Sequence, residues 1–253
     1  MDLGLKGLKA VVTGGTKGIG RAIAETFAAE GANVGICARN AKEVAAIVAL
    51  LAKRGVRSTG RALDVADAVA LKSFVEAVAA EFGGIDIVVA NVSALAISPD
   101  EAGWRSGFEV DLMHSVRLVN AAMPWLEKSA AGAIVSISSV SGREIDFAAG
   151  PYGALKAALV HYTQGLAFQL ASKGIRANTV SPGNTYFEGG VWHRIKDGNP
   201  ELYRDALKLN PMGRMGTPQE MANAAVFLAS PAASFITGTN LVVDGALTRG
   251  VQL

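Results

Sequence analysis

A single cysteine, Cys37, stands in the 253 residues of the chain. That excludes an intrachain disulfide and any multi-cysteine metal site, and no metal is expected. The surroundings of Cys37, a short apolar run, predict a reduced and buried thiol in a strand. Charge is scarce as well: 18% of residues are charged, and 24 basic against 22 acidic side chains leave a net +2. No block of five or six like charges occurs, so neither a nucleic-acid partner nor a charged tail is predicted. Long hydrophobic runs are missing too. The longest, Val44 to Ala52, falls far short of the roughly 18 residues a spanning helix needs. The positive mean hydropathy of +0.30 therefore does not call for a membrane. The opening MDLGLKGLKAVVTGG carries no apolar stretch behind a basic head and no small-residue cleavage site, which predicts a cytoplasmic chain without a signal peptide.

What the sequence does hold is alternation, with 29 glycines and abundant alanine. Short β-branched runs lie at Lys9–Thr13, Asn33–Ala38, Ile85–Ala90, Ala133–Ser138, Ile175–Val180 and Asn240–Val243, with a weaker one at Arg57–Leu63. Between them, helical spacing marks Gly18–Glu30, Ala41–Arg54, Ala68–Phe82, Gly103–Glu127, Tyr152–Lys173 and Pro218–Ala229. Continuous apolar strands separated by helices predict an α/β fold whose parallel sheet is covered on both faces. Gly31, Gly55 and Gly174 follow helices as stops. Thr217-Pro218-Gln219-Glu220 reads as a capping box that starts the last long helix. The length suits one domain over 1–253. The stretch Pro182–Gly216 has no place in the sheet, and a segment of that length predicts a lid, about 184–216, inserted after the sixth strand.

Between the first strand and the first helix lies Thr13-Gly14-Gly15-Thr16-Lys17-Gly18-Ile19-Gly20. Glycine lets a diphosphate approach the backbone where a Cβ would stand in the way, and the N–H groups of the helix start then bind the anion. The end of the second strand, Ile36-Cys37-Ala38-Arg39-Asn40, offers no acid for ribose hydroxyls. Lys17 and Arg39 supply two cations instead, a pattern suited to a 2′-phosphate. NADP(H) is accordingly the expected cofactor, with NAD(H) as the alternative. Further along, Tyr152 and Lys156 lie four apart at the start of a helix and share one face. A phenol titrating near 10 is a poor proton donor and acceptor at neutral pH, and a neighbouring cation favours its phenolate. Upstream, Ile134–Ser139 ends a strand at the edge where parallel sheets place their ligands.

In these residues the chain resembles the short-chain dehydrogenase/reductase family. The resemblance runs through the glycine turn, Asp64-Val65, the Ser139/Tyr152/Lys156 set, Ser181-Pro182-Gly183 and Val243-Asp244-Gly245, in order and over nearly the full length. It implies a Rossmann-like doubly wound sheet. It also implies a hydride transfer between nicotinamide and a secondary alcohol or ketone, with Tyr152 as acid and base. Lys156 would bond the nicotinamide ribose and favour the phenolate, and Ser139, rather than its neighbour Ser138, would hold the substrate oxygen. Gly14, Thr16, Lys17, Gly18, Ile19, Gly20 and Arg39 would bind the cofactor. Asp64 and Val65 would border adenine, Asn91 the adenosine ribose, and Pro182, Gly183 and Thr185 the nicotinamide.

Three departures from the family pattern stand out. The family's Asn-Asn-Ala-Gly reads Ala90-Asn91-Val92-Ser93. Its fourth catalytic residue, an Asn that helps hold a water linked to the lysine, aligns with Asp111, kept here as a site member. Its Thr after the Pro-Gly motif aligns with Phe187, so the diphosphate contact shifts to Thr185 or is lost. Tyr186, Phe187, Val191, Trp192, His193 and Tyr203, with Phe147 and Leu95, are candidates either for an apolar substrate pocket or for anchoring the lid. A small carbonyl or alcohol substrate, apolar or cyclic, is expected. A 3-ketoacyl thioester reductase and a catalytically idle nucleotide sensor are the alternatives. The family's habit of assembly implies a homotetramer.

Overall fold

In the computed structural model, residues 1–250 are described. Seven strands, β1 (Lys9–Thr13), β2 (Asn33–Ala38), β3 (Ser58–Ala62), β4 (Ile87–Ala90), β5 (Ala133–Ile137), β6 (Arg176–Pro182) and β7 (Asn240–Val243), form one sheet in the order 3-2-1-4-5-6-7. Every pairing is parallel, with Val12 opposite Ile36 on one side and Val89 on the other. Side chains alternate across a strand, and both faces are used. Val12, Val89 and Val135 face one core layer with α1 (Gly18–Ala29), α2 (Ala41–Ala52) and α9 (Pro218–Ala229). Their neighbours Val11, Val88 and Ile134 face the other, under α3 (Ala68–Phe82), α5 (His114–Leu126) and α6 (Pro151–Leu170). Two buried faces explain why these strands read as unbroken apolar runs rather than as alternating ones. This is the expected doubly wound, Rossmann-like sheet.

The strand order reverses between β1 and β4. Chain crossovers diverge there, and a crevice opens at the carboxyl ends of the strands. Cys37 is buried in β2, as expected, and desolvation pushes its thiol up to about 12. Thr217 and Glu220 form the predicted capping box at α9.

Two segments differ from the sequence reading. The single helix expected over Gly103–Glu127 is broken into α4 (Glu101–Gly107), a π-helical turn over Phe108–Met113, and α5. A wide turn inserts an extra residue and re-aims the side chains around it, and Asp111 lies inside it. The stretch after β6 is not irregular throughout. It contains α7 (Val191–Gly198) and α8 (Pro200–Lys208), closed at its base by a bridge between Thr185 and Gly216. Asn199 caps α8 by accepting from the Leu202 N–H, and Pro200 occupies the first helical position. No helix among the described residues is long and apolar enough to cross a membrane.

Candidate active site

The carboxyl end of β1 begins the site. Gly14 and Gly18 take positive φ values of 67° and 51°, a region that favours glycine. A Cβ at Gly20 would overlap the Asn91 side chain and the Gly14 carbonyl. Asn91 braces this turn. Its amide side chain donates to the Thr13 carbonyl at 3.0 Å, and its backbone N–H donates to the Thr13 hydroxyl at 3.1 Å. Helix α1 then starts at Gly18 with no side-chain cap, so its first N–H groups remain available to an anion. A glycine cradle and an uncapped helix start are what a dinucleotide diphosphate requires, and these residues fit the group.

Behind the turn, His114 is buried among Thr13 and the π-helical turn. Its Nδ1 lies 2.7 Å from the Val110 carbonyl, an acceptor only, so the proton sits on Nδ1. Nε2 then faces the Thr13 hydroxyl at 3.0 Å as an acceptor, sharing its one proton with the Val89 carbonyl at 3.2 Å. Desolvation lowers the His114 pKa from 6.5 to about 4, which keeps the ring neutral, and the Val110 carbonyl opposes that shift in part.

The catalytic candidates converge from β5 and α6. Ser138 is buried, and its hydroxyl donates to the Lys156 carbonyl at 2.9 Å, a structural role. Ser139 turns the other way. It accepts from the Ser141 N–H at 3.1 Å and donates to the Ser141 hydroxyl at 3.2 Å. Ser141 in turn donates to the Asp146 carboxylate at 2.6 Å. Tyr152 opens α6 directly after Pro151, and one turn on, the Lys156 ammonium stands 5.7 Å from the centre of the Tyr152 ring.

Lys156 is almost fully buried, at 2% exposure, and donates to the Ile137 carbonyl at 3.0 Å. Its charge is met by Asp111, itself 1% exposed, with Oδ1 3.1 Å from Nζ. That contact is an ion pair off the line of a hydrogen bond, because Oδ1 has no hydrogen-bond partner. The other oxygen of Asp111 accepts from the Ala94 N–H at 3.0 Å. One oxygen thus meets a backbone N–H and the other stands beside the Lys156 ammonium. A carboxylate accepts on both sides, whereas an amide at this place would point an NH₂ at one of them. An aspartate at this place can accept on both sides, where the resemblance expects an amide.

One cavity of about 280 Å³ joins the two ends. Lys17, Ile19, Gly20 and Asn91 line it at the glycine turn, and Ser139, Tyr152 and Lys156 at the catalytic end. Pro182, Gly183 and Thr185 border it from the end of β6, although the Thr185 hydroxyl donates to the Gly183 carbonyl at 3.0 Å. Gly14, Thr16, Gly18, Arg39, Asp64 and Val65 lie outside this cavity's lining. Arg39 and Asp64 are exposed beyond β2 and β3, and Val65 is buried. The Phe187 ring stands over Gly18, where the resemblance expects a threonine hydroxyl.

The aromatic residues after β6 divide. Phe187, Val191 and Trp192 line the cavity with Leu95 and Phe147, and Trp192 meets Phe147 edge to face at 5.8 Å. Tyr186 instead stacks edge-on with His193 and Tyr203, which anchors the segment to itself. Lining the cavity is thus the role of the first group, while the second packs within the segment rather than against the body of the protein.

Two acids escape a sequence reading. Glu43, in the first turn of α2, pairs with Lys17 at 2.8 Å and accepts from the Thr16 hydroxyl at 3.3 Å. Asn40 caps the same turn, with its side-chain oxygen accepting from the Lys42 and Glu43 N–H groups. The Asn40-x-x-Glu43 spacing was the available signal, as a capping pattern that points Glu43 back toward the glycine turn. Asp146 sits in the loop before α6 and gave no motif at all.

A family model described as enoyl-(acyl carrier protein) reductase matches residues 14–248. The isoepoxydon dehydrogenase of Penicillium expansum is 42% identical, covering 100% of this chain and 99% of its own. A 7α-hydroxysteroid dehydrogenase solved with NADH and 7-oxo glycochenodeoxycholic acid superposes with a TM-score of 0.90 at 31% identity, covering 97% of this chain and 96% of that one. The L-sorbose reductase of Gluconobacter frateurii, solved with NADPH and L-sorbose, gives 0.90 and 31%, over 99% and 100% of the two chains. The match to the family model and the likenesses to these relatives each run over nearly the whole chain: the chain is a nicotinamide-dependent oxidoreductase and belongs to the short-chain dehydrogenase/reductase family.

Proposed function

We propose that the chain interconverts a ketone and a secondary alcohol, with Tyr152 as the acid and base and NADP(H) as the preferred cofactor. The observation that carries this reading is the single cavity in which the glycine turn and the Ser139, Tyr152 and Lys156 side chains meet. When bound, the nicotinamide supplies or accepts the hydride. Ser139 donates to the substrate oxygen and holds it beside the Tyr152 phenol. In reduction Tyr152 gives its proton to that oxygen, and in oxidation it takes the proton back. Lys156 steadies the phenolate left after reduction. Asp111 and the Ile137 carbonyl fix the ammonium in place, so Asp111 acts as a positioning residue. Leu95, Phe147, Val191 and Trp192 make the remaining wall apolar, which suits a compact or cyclic carbon skeleton, and the segment 184–216 serves as its lid.

The cofactor preference rests on charge at the far end. Arg39 is exposed and enters no ion pair among the described residues, leaving it free for a 2′-phosphate. Lys17 is shared with Glu43, so its contribution is smaller than its charge alone implies. The oligomer proposed is a homotetramer. Phe168 on α6, 89% exposed, and the half-exposed Trp104 and Phe108 around α4 leave apolar surface for subunit contacts. Light scattering measures its mass directly.

The test is turnover of a panel of cyclic and acyclic ketones with NADPH and NADH, followed by cofactor absorbance. Ketone-dependent oxidation, faster with NADPH at equal subsaturating concentration, is expected. Cofactor binding with no turnover on any ketone or alcohol would instead favour a nucleotide sensor.

A further inference from the structure

The cavity lining holds both polar and apolar side chains. Beyond Ser139 the lining carries Ser141 and Asp146, joined to it by hydrogen bonds, together with the apolar Leu95, Phe147 and Trp192. The Asp146 carboxylate has no ion-pair partner among the described residues. Its contacts are the Ser141 hydroxyl at 2.6 Å on one oxygen and the Ala148 N–H at 2.8 Å on the other. A carboxylate offers about four acceptor positions, so two remain. The chain from Ser139 through Ser141 to Asp146 is an acceptor-rich patch that begins at the residue holding the substrate oxygen.

Proton counting gives this patch a consequence. A serine hydroxyl has one proton. With no substrate present, Ser139 donates it to Ser141, and Ser141 donates its own to Asp146. A ketone oxygen draws the Ser139 proton to itself, and the Ser141 oxygen then loses its donor. A plain ketone leaves that acceptor without a donor, whereas a substrate hydroxyl fills it. The Ser139 and Ser141 oxygens are 3.2 Å apart, a spacing that oxygens on neighbouring carbon atoms can match.

Resting on the ketone-reductase reading of the site, we propose that Ser141 and Asp146 form a hydroxyl-binding subsite, and that the substrates are ketones carrying a free hydroxyl on the carbon next to the carbonyl. The uncompensated carboxylate also turns away substrates with an anionic group at that position. A site built to hydrogen-bond a substrate hydroxyl rejects the analogue lacking it, so preference is where the subsite shows.

The experiment compares kcat/KM for 2-hydroxycyclohexanone, 2-methoxycyclohexanone and cyclohexanone with NADPH. The methoxy compound keeps the oxygen and removes the donor. The hydroxy ketone is expected to exceed both others by at least about tenfold. In Asp146→Ala and in Ser141→Ala that ratio falls to within about threefold of one. Reading a ratio inside each variant removes differences in the amount of folded enzyme. The Ser141 variant serves where the Asp146 one does not fold. Turnover of all three ketones at similar kcat/KM, or a ratio retained in both variants, would overturn the subsite alone. No turnover of any ketone while NADPH binds would overturn the reading of the site beneath it.

Discussion

The catalytic cluster and the charged groups near the glycine turn are held in different ways. At the catalytic end, Lys156 and Asp111 are buried to within 2% of full coverage and fixed by the Ile137 carbonyl and the Ala94 N–H. Near the glycine turn and the end of β2, Lys17 is largely exposed and paired to a single carboxylate, and Arg39 is exposed without an ion-pair partner among the described residues. Removing one partner of a buried pair leaves a charge uncompensated in a poor dielectric, at a cost of about 3–5 kcal/mol. An exposed pair is worth about 0.2–1 kcal/mol. On the proposed function, chemistry is fixed where change is expensive, and cofactor choice is set where change is cheap.

Substitutions in the two regions should separate by orders of magnitude. Tyr152→Phe removes the proton donor and should lower kcat by about 10³-fold or more, with the dissociation constant for NADPH, read by fluorescence, within about threefold. Retained turnover would remove Tyr152 from the mechanism. Asp111→Asn and Asp111→Ala should each destabilise the fold by about 3 kcal/mol or more, seen in chemical denaturation. In the folded fraction the pH midpoint of alcohol oxidation should move downward, because the Lys156 charge is no longer offset and favours the Tyr152 phenolate. Of the titratable groups near this pair, His114 is held neutral, Arg117 is paired with Glu109, Lys17 is paired with Glu43, and Asp146 shares the cavity lining. If both variants are silent in stability and in pH profile, Asp111 has no part in the site.

His114 gives a smaller effect of defined sign. Its folded value near 4 lies below the usual 6.5, so the unfolded chain binds more protons between those pH values. The stability it contributes is complete above pH 6.5 and is lost as pH falls toward 4, by up to roughly 3 kcal/mol. His114→Gln should flatten that part of the stability curve, and an unchanged slope would show that acid sensitivity arises elsewhere. In the exposed region, Arg39→Asp should reduce the preference for NADPH over NADH about tenfold or more, as an acid meets the 2′-phosphate. Glu43→Gln should raise it only about two- to threefold by freeing Lys17. A Glu43 effect as large as that of Arg39 would contradict the division between the two regions.

Much of this arrangement was legible in the residues. Both faces of the sheet are buried, so strands such as Val11-Val12 and Val88-Val89 appear as apolar runs, and glycine and cap residues mark most helix ends. The glycine turn and the Tyr152/Lys156 spacing are local, and local patterns survive in a sequence. The π-helical turn was not legible, because one extra residue in Phe108–Met113 barely disturbs helical spacing. Nor was the division of Tyr186 from Trp192, which depends on how α7 rolls against its neighbours. Glu43 and Asp146 acquire their roles only through contacts made by folding, with Lys17 in one case and Ser141 in the other.

The central claim is that Tyr152, Ser139 and Lys156 serve a hydride transfer to a carbonyl carbon. The most direct measurement uses NADPH deuterated at nicotinamide C4 on the transferred face, with mass and NMR analysis of the alcohol formed from 2-hydroxycyclohexanone. The account predicts one deuterium, on the carbinol carbon, in the wild-type product and a rate of labelling reduced about 10³-fold in Tyr152→Phe. Bound NADPH that never labels an alcohol, or labelling at the same rate in both proteins, would contradict it.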